Sequence, residues 1–178
     1  VLIPITNDTI SEIDEVFKLI LTNPSLNIVI GDSIGMVTIV DDEAIPSVSI
    51  QDVTVNEDIG TSLLTVCLSG VTSQPTTMML NTTNGSAFAG ADYTAETGRL
   101  VTIPAGVLCV TIHLNITDDL LTENTETFQV GLSALSSNAA FADSEAFVTI
   151  IDNDTPCQAK APVLSLSLIH ISEPTSQY

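Results

Sequence analysis

The chain has 178 residues and a formal net charge of −19, because 22 acidic residues stand against only 3 lysines and arginines. This balance excludes binding to nucleic acid and to anionic membrane surfaces, both of which require basic patches. Because 44% of the residues are hydrophobic, a packed core is expected and an intrinsically disordered chain is not.

An internal repeat relates the beginning of the chain to its later part. Residues 5–43 align with residues 116–154 at a constant offset of 111 without a gap, and fifteen of the 39 pairs are identical. Ten of these fifteen identical pairs are either apolar residues or carboxylates. A solenoid unit has roughly 20–50 residues, so this longer period indicates a tandem array of whole domains.

The repeat divides the chain into predicted segments. Residues 1–43 are interpreted as the C-terminal remnant of a first unit, residues 46–154 as a complete domain, and residues 155–165 as a linker. The remnant lacks its first strands, so we expect it to order poorly or to pack against the complete domain in a non-native way. The run LSLIHISEPT at 166–175 resembles a translated sequencing adapter. Residues 166–178, with His170, are therefore interpreted as an artefact tail.

Along the complete domain the hydrophobic pattern has a period of two. Val48 and Ile50 share one parity and Val53 and Val55 the other, which predicts a β-bulge or a change of sheet near residues 51–52. Alternation continues over 64–69, 109–116 and 127–132, and a denser apolar run covers 147–151. Short half-buried strands without a helical stripe predict an all-β, immunoglobulin-like antiparallel β-sandwich of about seven strands.

The cysteines bear on both structure and compartment. Cys67 and Cys109 have the outward parity of their strands, and the second and fifth strands of such a sandwich are neighbours, so a disulfide on the exposed face is predicted. The alternative is two unpaired surface thiols, which a secreted protein would avoid. Cys157 is left as the odd cysteine.

Glycosylation sequons provide a second hint of secretion. Five Asn-X-Ser/Thr triplets occur, at Asn7, Asn81, Asn84, Asn115 and Asn153. The predicted glycosylation sites are the three in the body of the domain, Asn81, Asn84 and Asn115.

Acidic residues recur at the predicted strand ends. They are Glu57, Asp92, Asp118, Asp119, Glu123, Glu126, Asp152 and Asp154. Alternate loops of a sandwich converge on one end, where several carboxylates repel each other by several kcal/mol unless a cation lies between them. Calcium takes 6–8 oxygen ligands in flexible geometry, and magnesium is the second choice.

These acids have other interpretations besides a metal site. A solvated acidic surface is the simplest, but the fixed offset of Asp8, Glu12, Glu15 and Asp41 from their partners disfavours it. An EF-hand loop is absent, and His113 stands alone, without a zinc ligand set. No nucleophile, base and orienting residue occur together, so an enzyme is not expected.

The motifs of the complete domain resemble those of the Calx-beta family. The resemblance rests on Gly90-Ala91-Asp92-Tyr93-Thr94, on Pro104-Ala105-Gly106, on the acidic string over residues 116–128, and on VTIIDND over 148–154. It covers the whole second repeat and the last third of the first. The resemblance implies an immunoglobulin-like sandwich that often binds calcium at its loop end. Such domains occur in sodium/calcium exchangers, integrin β4, and matrix and adhesion proteins.

The family's ligand pattern, carried over by position, implies a set of metal ligands in this sequence. These are Glu57, Asp92, Asp118, Asp119, Glu123, Glu126, Asp152 and Asp154, with Leu121 offering a backbone carbonyl. Asn153 replaces the middle acid of the closing triplet, which leaves the number of calcium ions open. The first repeat keeps Asp8, Glu12, Glu15, Asp41, Asp42 and Glu43 as remnant metal ligands.

These observations lead to a functional prediction with two alternatives. The chain is interpreted as a non-catalytic, calcium-binding module of an extracellular adhesion or matrix protein, in which calcium stiffens the loop end and the junction between repeats. Its predicted partners are calcium, neighbouring repeats, and extracellular protein or glycan ligands, without direct membrane insertion. The alternatives are a cytosolic calcium sensor of an exchanger-type membrane protein and a spacer without metal. A disulfide would favour the extracellular reading.

Overall fold

The computed structural model describes residues 2–155, so Cys157, His170, most of the predicted linker and the tail at 166–178 lie outside the described residues. The strands are β1 (Glu15–Ile20), β2 (Ile34–Ile39), β3 (Ser47–Ile50), β4 (Val53–Asn56), β5 (Thr61–Leu68), β6 (Thr76–Asn84), β7 (Arg99–Ile103), β8 (Cys109–Asn115), β9 (Glu126–Ser133), β10 (Ala140–Phe141) and β11 (Glu145–Ile151). A 3₁₀ turn covers Glu57–Ile59. No helix within residues 2–155 is long and apolar enough to cross a membrane.

Two sheets form the body of the second repeat. One has the strand order β10-β3-β5-β8 and the other the order β4-β11-β9-β6-β7. The predicted all-β sandwich is confirmed. Within residues 47–151 there are nine strands rather than about seven, because the first strand is divided in two and because the two-residue β10 is added.

The first strand of the second repeat changes sheets at residues 51–52. Its first half, β3, pairs with β5, whereas its second half, β4, runs parallel to β11. At the crossing the Asp52 Oδ1 atom accepts a hydrogen bond of 2.8 Å from the Phe147 N–H group. The phase slip in the hydrophobic pattern therefore marks a real change of sheet.

The core lies between the two sheets and consists of the inward residues of each strand. Tyr93 and Phe128 are its largest fully buried side chains, and their rings stack with centroids 3.8 Å apart and planes 6° from parallel. Tyr93 directly follows Asp92, and Phe128 lies two residues after Glu126 on β9. The two largest core residues are thus connected through the backbone to acidic residues at the loop end of the sandwich.

The β1–β2 hairpin of the first repeat reproduces the β9–β11 pair of the second. Glu15 lies opposite Ile39 as Glu126 lies opposite Ile150, and the remaining residue pairs follow at the same offset of 111. The environments differ, because Phe17 is half-buried whereas its counterpart Phe128 is fully buried. The sequence repeat is therefore also a repeat of strand register.

A short contact joins the two repeats. The Ser11 N–H group donates to the Val71 carbonyl at 3.3 Å, and the Ser73 N–H group donates to the Ser11 carbonyl at 3.1 Å. Ser11 and Thr72 thereby form an isolated parallel β-bridge. Residues 1–43 therefore contact the second repeat at this bridge, and the expectation that such packing is non-native stays a prediction.

The predicted disulfide is present. Cys67 of β5 and Cys109 of β8 lie directly opposite each other, with Cα atoms 4.1 Å apart, and their sulfur atoms are bonded. The bond lies at the end of the sandwich that contacts the first repeat, because β5 runs from the 3₁₀ turn toward residues 69–74. It is remote from the acidic loops, which lie at the other end.

Candidate metal centre

The strand arrangement brings the predicted acidic residues to one end of the sandwich. Glu57 lies in the 3₁₀ turn before β5, Asp92 in the β6–β7 loop, and the 118–123 segment in the β8–β9 loop. Glu126 is the first residue of β9, and Asp152 and Asp154 follow β11. These termini coincide because Thr61 pairs with Asn115 and Glu126 pairs with Ile150.

The carboxylates form two groups. In the first group, oxygen atoms of Glu57, Asp152 and Asp154 lie within 4.8 Å of one another. In the second group the same holds for Asp92, Glu123 and Glu126. Such spacing suits oxygen atoms that share a cation, and two groups provide for more than one ion.

Backbone hydrogen bonds connect the loops that carry these groups. The Asp119 N–H group donates to the Glu57 Oε1 atom at 3.3 Å, and the Glu123 N–H group donates to the Asp152 Oδ2 atom at 2.9 Å. The β8–β9 loop is therefore held to the turn before β5 and to the segment after β11.

Hydrogen bonds within the β6–β7 loop hold Asp92 and its neighbour Tyr93. The Asp92 Oδ2 atom accepts a hydrogen bond of 2.6 Å from the Phe88 N–H group. The hydroxyl of the next residue, Tyr93, donates to the Asn84 Oδ1 atom at 2.7 Å, and the same oxygen accepts a bond from the Ala89 N–H group. The sequence marks Asn84 only as a sequon, and no pattern in it indicates the contact with Tyr93.

Burial and crowding raise the pKa of several carboxyl groups at this end. The pKa of Glu126 rises from its ordinary value of 4.5 to about 7, first through burial and then through a hydrogen bond to Asp92 and the charges of Asp92 and its neighbours. Burial is also the main reason that the pKa values of Glu57, Glu123 and Asp154 are raised, and neighbouring carboxylates contribute. The uncompensated negative charge is thus costly in the folded state.

No basic side chain compensates for this charge in the described chain. Lys18 belongs to β1 of the first repeat. Arg99 is occupied elsewhere, because its Nη1 atom contacts the Glu96 Oε1 atom at 2.9 Å and the His113 carbonyl at 2.8 Å. A bound cation would neutralise this charge.

The chemistry of the donor set fits a hard divalent cation. All the side chains offered are carboxylates, and none is a histidine or a cysteine. The Asp154 Oδ2 atom is buried and has no hydrogen-bond partner in the described chain. A buried polar atom without a partner is rare and costly, and coordination to calcium or magnesium would satisfy it.

Not every predicted ligand is equally well placed. Asp118 adjoins the site and contributes to the raised pKa of Asp154. The Leu121 N–H group donates to the Asp119 Oδ1 atom at 2.6 Å, which closes a tight turn, while a ligand role for the Leu121 carbonyl stays a prediction. The division of the acids into two groups could not be read from the sequence.

The first repeat has part of the same acidic cluster. Asp8, Glu12, Glu15 and the 41–43 segment line a cavity of about 80 Å³. The Ile10 N–H group donates to the Asp8 Oδ1 atom at 2.8 Å, as Leu121 does to Asp119 at the same offset. The pKa of Glu12 is raised, mainly by burial, and that of Glu43 mainly by a hydrogen bond to Asp41.

The raised pKa of Glu126 predicts a pH-dependent affinity for calcium. A protonated Glu126 cannot act as a full ligand, so protons and calcium compete as the pH falls through about 7. For one such group, calcium affinity measured by isothermal titration should rise about tenfold from pH 6 to pH 8. The Glu126→Gln variant should show a flatter profile; an unchanged slope would contradict the assignment.

The same shift fixes the sign of the pH dependence of stability without calcium. Between pH 4.5 and about 7 the folded state binds more protons at Glu126 than the unfolded state does. The stability that protonated Glu126 contributes is therefore fully present below pH 4.5 and is lost as the pH rises through about 7. In chelator, the thermal midpoint should be lower at pH 8 than at pH 5.5.

Comparison with known proteins agrees with this geometry. The model of the Calx-beta domain family matches residues 1–43 and 40–154. The chain is similar to the structure of the apo-form Calx CBD1 domain at 26% identity and a TM-score of 0.57, over 62% of this chain and 100% of that one. No curated protein sequence matches the chain.

Two further structures contain a pair of such domains. CBD12 from CALX1.2 and the calcium binding domain CBD12 of CALX1.1 are each 27% identical, with a TM-score of 0.56, over 61% and 60% of this chain. The chain spans 46% of the length of each. The Calx CBD2 domain, at 14% identity and a TM-score of 0.54, supports the fold alone.

Proposed function

The chain belongs to the Calx-beta family, and from this premise we propose that its second repeat is a calcium-binding module that stiffens its own loop end and the junction with a neighbouring repeat. Calx-beta domains are non-catalytic binding and regulatory modules. We extend that character to this chain, for which no enzymatic activity is proposed.

The single observation that carries the proposal is the Asp154 Oδ2 atom, which lies within a cluster of carboxylates and has no hydrogen-bond partner among residues 2–155. Buried oxygens of this kind cost free energy unless they are hydrogen-bonded or bound to a metal. We assign one ion to the group of Glu57, Asp152 and Asp154 and a second to the group of Asp92, Glu123 and Glu126. Asp118, Asp119 and the Leu121 carbonyl complete the proposed donor set. Calcium is preferred to magnesium because it accepts many oxygen ligands in irregular geometry.

We place the parent protein outside the cell. The Cys67–Cys109 disulfide supports this, because stable disulfides persist in oxidising compartments. The exposed Asn115 side chain at the end of β8 is the sequon best placed for a glycan, since the Oδ1 atoms of Asn81 and Asn84 accept hydrogen bonds that support neighbouring loops. Extracellular proteins or glycans are the corresponding partners in an adhesion or matrix assembly.

The second candidate is a calcium-sensing domain of an exchanger-type membrane protein, which would lie in the cytosol. The likeness to the two CBD12 structures favours it, because one of them is described as a calcium binding domain. Reduction separates the candidates, since a cytosolic domain must fold and bind calcium with both cysteines as thiols. A metal-free spacer is the third possibility.

Calcium titration of the chain by calorimetry tests the proposal. The wild type should bind, and Glu126→Gln should weaken one class of sites by about tenfold or more, since even residues that only support ligands cost this much. Glu145→Gln is the matched control, because it removes the same charge from an exposed position at the other end of the domain. At 100 times the dissociation constant, calcium should stabilise the fold by about 2.7 kcal/mol.

Two results would decide against the calcium site. Equal affinities for Glu126→Gln and Glu145→Gln would contradict the ligand assignment. The absence of heat and of any change in the thermal midpoint with calcium would leave only the spacer.

A further inference from the structure

The end of β6 carries a dipeptide whose chemistry the proposed function does not use. Asn84 is the last residue of β6 and is followed by Gly85, and of the ten asparagines in the sequence it is the only one that precedes a glycine. An asparagine before glycine can react with its own backbone, because no Cβ atom shields the following amide nitrogen. Both residues are exposed, so water reaches the pair.

Packing requires the glycine at this position. A Cβ atom at residue 85 would collide with the Thr127 carbonyl oxygen, which accepts a hydrogen bond of 3.0 Å from the Ala87 N–H group. The Thr127 N–H group in turn donates to the Ser86 Oγ atom at 2.9 Å. Within residues 2–155 the Gly85 N–H group itself donates no hydrogen bond. The close approach of β9 therefore keeps a reactive dipeptide at the end of β6.

Two donors point at the side-chain oxygen of Asn84. The Tyr93 hydroxyl donates to the Oδ1 atom at 2.7 Å, and the Ala89 N–H group donates to it at 3.0 Å. When a nitrogen attacks the Asn84 Cγ atom, negative charge develops on Oδ1, and donors that are already in place stabilise this charge. Tyr93 is fully buried and its ring stacks on Phe128, so the core holds the stronger of the two donors in position.

We propose that Asn84 is a site of spontaneous deamidation, promoted by the Tyr93 hydroxyl and the Ala89 N–H group. The Gly85 nitrogen forms a bond to the Asn84 Cγ atom, and the bond from Cγ to Nδ2 breaks. The proton of the Gly85 N–H group leaves with Nδ2 as ammonia, and a succinimide ring remains. Water then opens the ring. Hydrolysis at Cγ gives aspartate, whereas hydrolysis at the main-chain carbonyl carbon of residue 84 gives isoaspartate.

The two products differ in their effect on the neighbouring loop. Aspartate leaves the course of the main chain unchanged and offers the two donors a carboxylate oxygen. Isoaspartate routes the main chain through Cβ and Cγ of residue 84, which lengthens it where Gly85 is already in close contact with β9. The Phe88 and Ala89 N–H groups, which donate to Asp92 and Asn84, should then exchange faster with solvent. The loop that is loosened in this way carries Asp92.

Peptide mapping after incubation in mildly alkaline buffer tests the proposal. The full chain is produced in a bacterial periplasm, where the disulfide can form and no glycan is added to Asn84. Mass spectrometry with electron-transfer fragmentation follows the replacement of amide by acid at each asparagine and distinguishes the two products. Conversion at Asn84 should be severalfold faster than at Asn81. Asn81 is the internal control, because it lies on the same strand and its Oδ1 atom accepts a bond of 2.8 Å from the Gly98 N–H group, but threonine follows it.

The Tyr93→Phe variant separates the effect of the fold from that of the dipeptide. It removes the hydroxyl donor but keeps the ring that stacks on Phe128, so conversion of Asn84 should slow by about threefold or more, as expected for the loss of one neutral hydrogen bond. Loosening of the fold would act in the opposite direction, since a mobile chain reaches the attacking geometry more easily. Ser86→Ala is the matched control, because it removes the bond to the Thr127 N–H group and leaves both donors to Asn84 in place. This control should not slow the conversion.

Two outcomes would overturn the proposal. If conversion at Asn84 is no faster than at Asn81 and at the exposed Asn115, position 84 is not a preferred site of modification. If Tyr93→Phe converts Asn84 as fast as the wild type does, or faster, the hydroxyl does not promote the reaction. Both rates are measured in chelator, so neither result depends on whether the chain binds calcium.

Discussion

Replacing Phe128 by alanine should lower the free energy of unfolding by about 3–5 kcal/mol, because Phe128 is fully buried and its removal leaves a cavity in a packed core. The same change removes the ring that stacks on Tyr93. Tyr93 donates to Asn84 and directly follows Asp92, whose carboxylate accepts a hydrogen bond from the Phe88 N–H group. Displacement of Tyr93 should therefore move Asp92, and calcium affinity should fall together with stability. Urea denaturation and calcium titration of the same variant measure the two effects.

Phe17→Ala is the matched control for this variant. Phe17 occupies the equivalent position in the first repeat but is only half-buried and has no stacked partner in the described chain. Its replacement should cost about 1 kcal/mol and leave the second repeat unaffected. If the two substitutions lowered the free energy of unfolding equally, the deeper burial of Phe128 would contribute no stability, which would contradict the structure.

Removal of the disulfide should have an effect of similar size through a different cause. Cys67 and Cys109 are 42 residues apart, and cross-linking a loop of that length restricts the unfolded chain by about 4 kcal/mol in the chain-entropy treatment. The Cys67→Ser, Cys109→Ser double variant should therefore unfold roughly 15 °C lower in a thermal scan. Mass measurement with and without reductant establishes the starting state.

The neighbouring pair Thr65 and Thr111 provides the control. These residues lie opposite each other on the same face of β5 and β8, so Thr65→Ala with Thr111→Ala removes outward side chains without removing a cross-link. This double variant should lose about 1 kcal/mol or less. Calcium affinity should stay within about twofold in both variants, since the acidic loops lie at the opposite end. A cysteine variant as stable as the wild type would refute the entropic account.

The alternation of apolar and polar residues predicted those strands that are long enough to show a period of two. The change of parity between Ile50 and Val53 located the change of sheet, because each strand half must face the same core from a different sheet. β10 was missed because two residues have no period, and its parallel pairing with Ser47 and Val48 depends on the course of a distant loop. The predicted number of strands is therefore too low, because the hydrophobic pattern cannot reveal a strand of two residues.

For the candidate site, sequence predicted which residues are acidic at strand ends but not how they are grouped. The grouping of Glu57 with Asp152 and Asp154 depends on loops far apart in the chain. The bond of Tyr93 to Asn84 likewise joins two strand ends through the core, and neither residue type indicates it. Burial then raises the pKa of Glu126 to about 7, an effect that depends on packing and is not visible in the sequence.

The change of sheet at residues 51–52 also determines how the domain carries mechanical load. The chain enters the second repeat at Ser47, at the disulfide end, and leaves after Ile151 at the acidic end, so its two terminal strand segments, β4 and β11, run parallel side by side. Tension applied through neighbouring domains pulls these strands along their length in opposite directions. The hydrogen bonds between them must then break together rather than one at a time. Glu57 and Asp152 lie just beyond the ends of β4 and β11. An ion bound by both residues would therefore resist the sliding of one strand along the other.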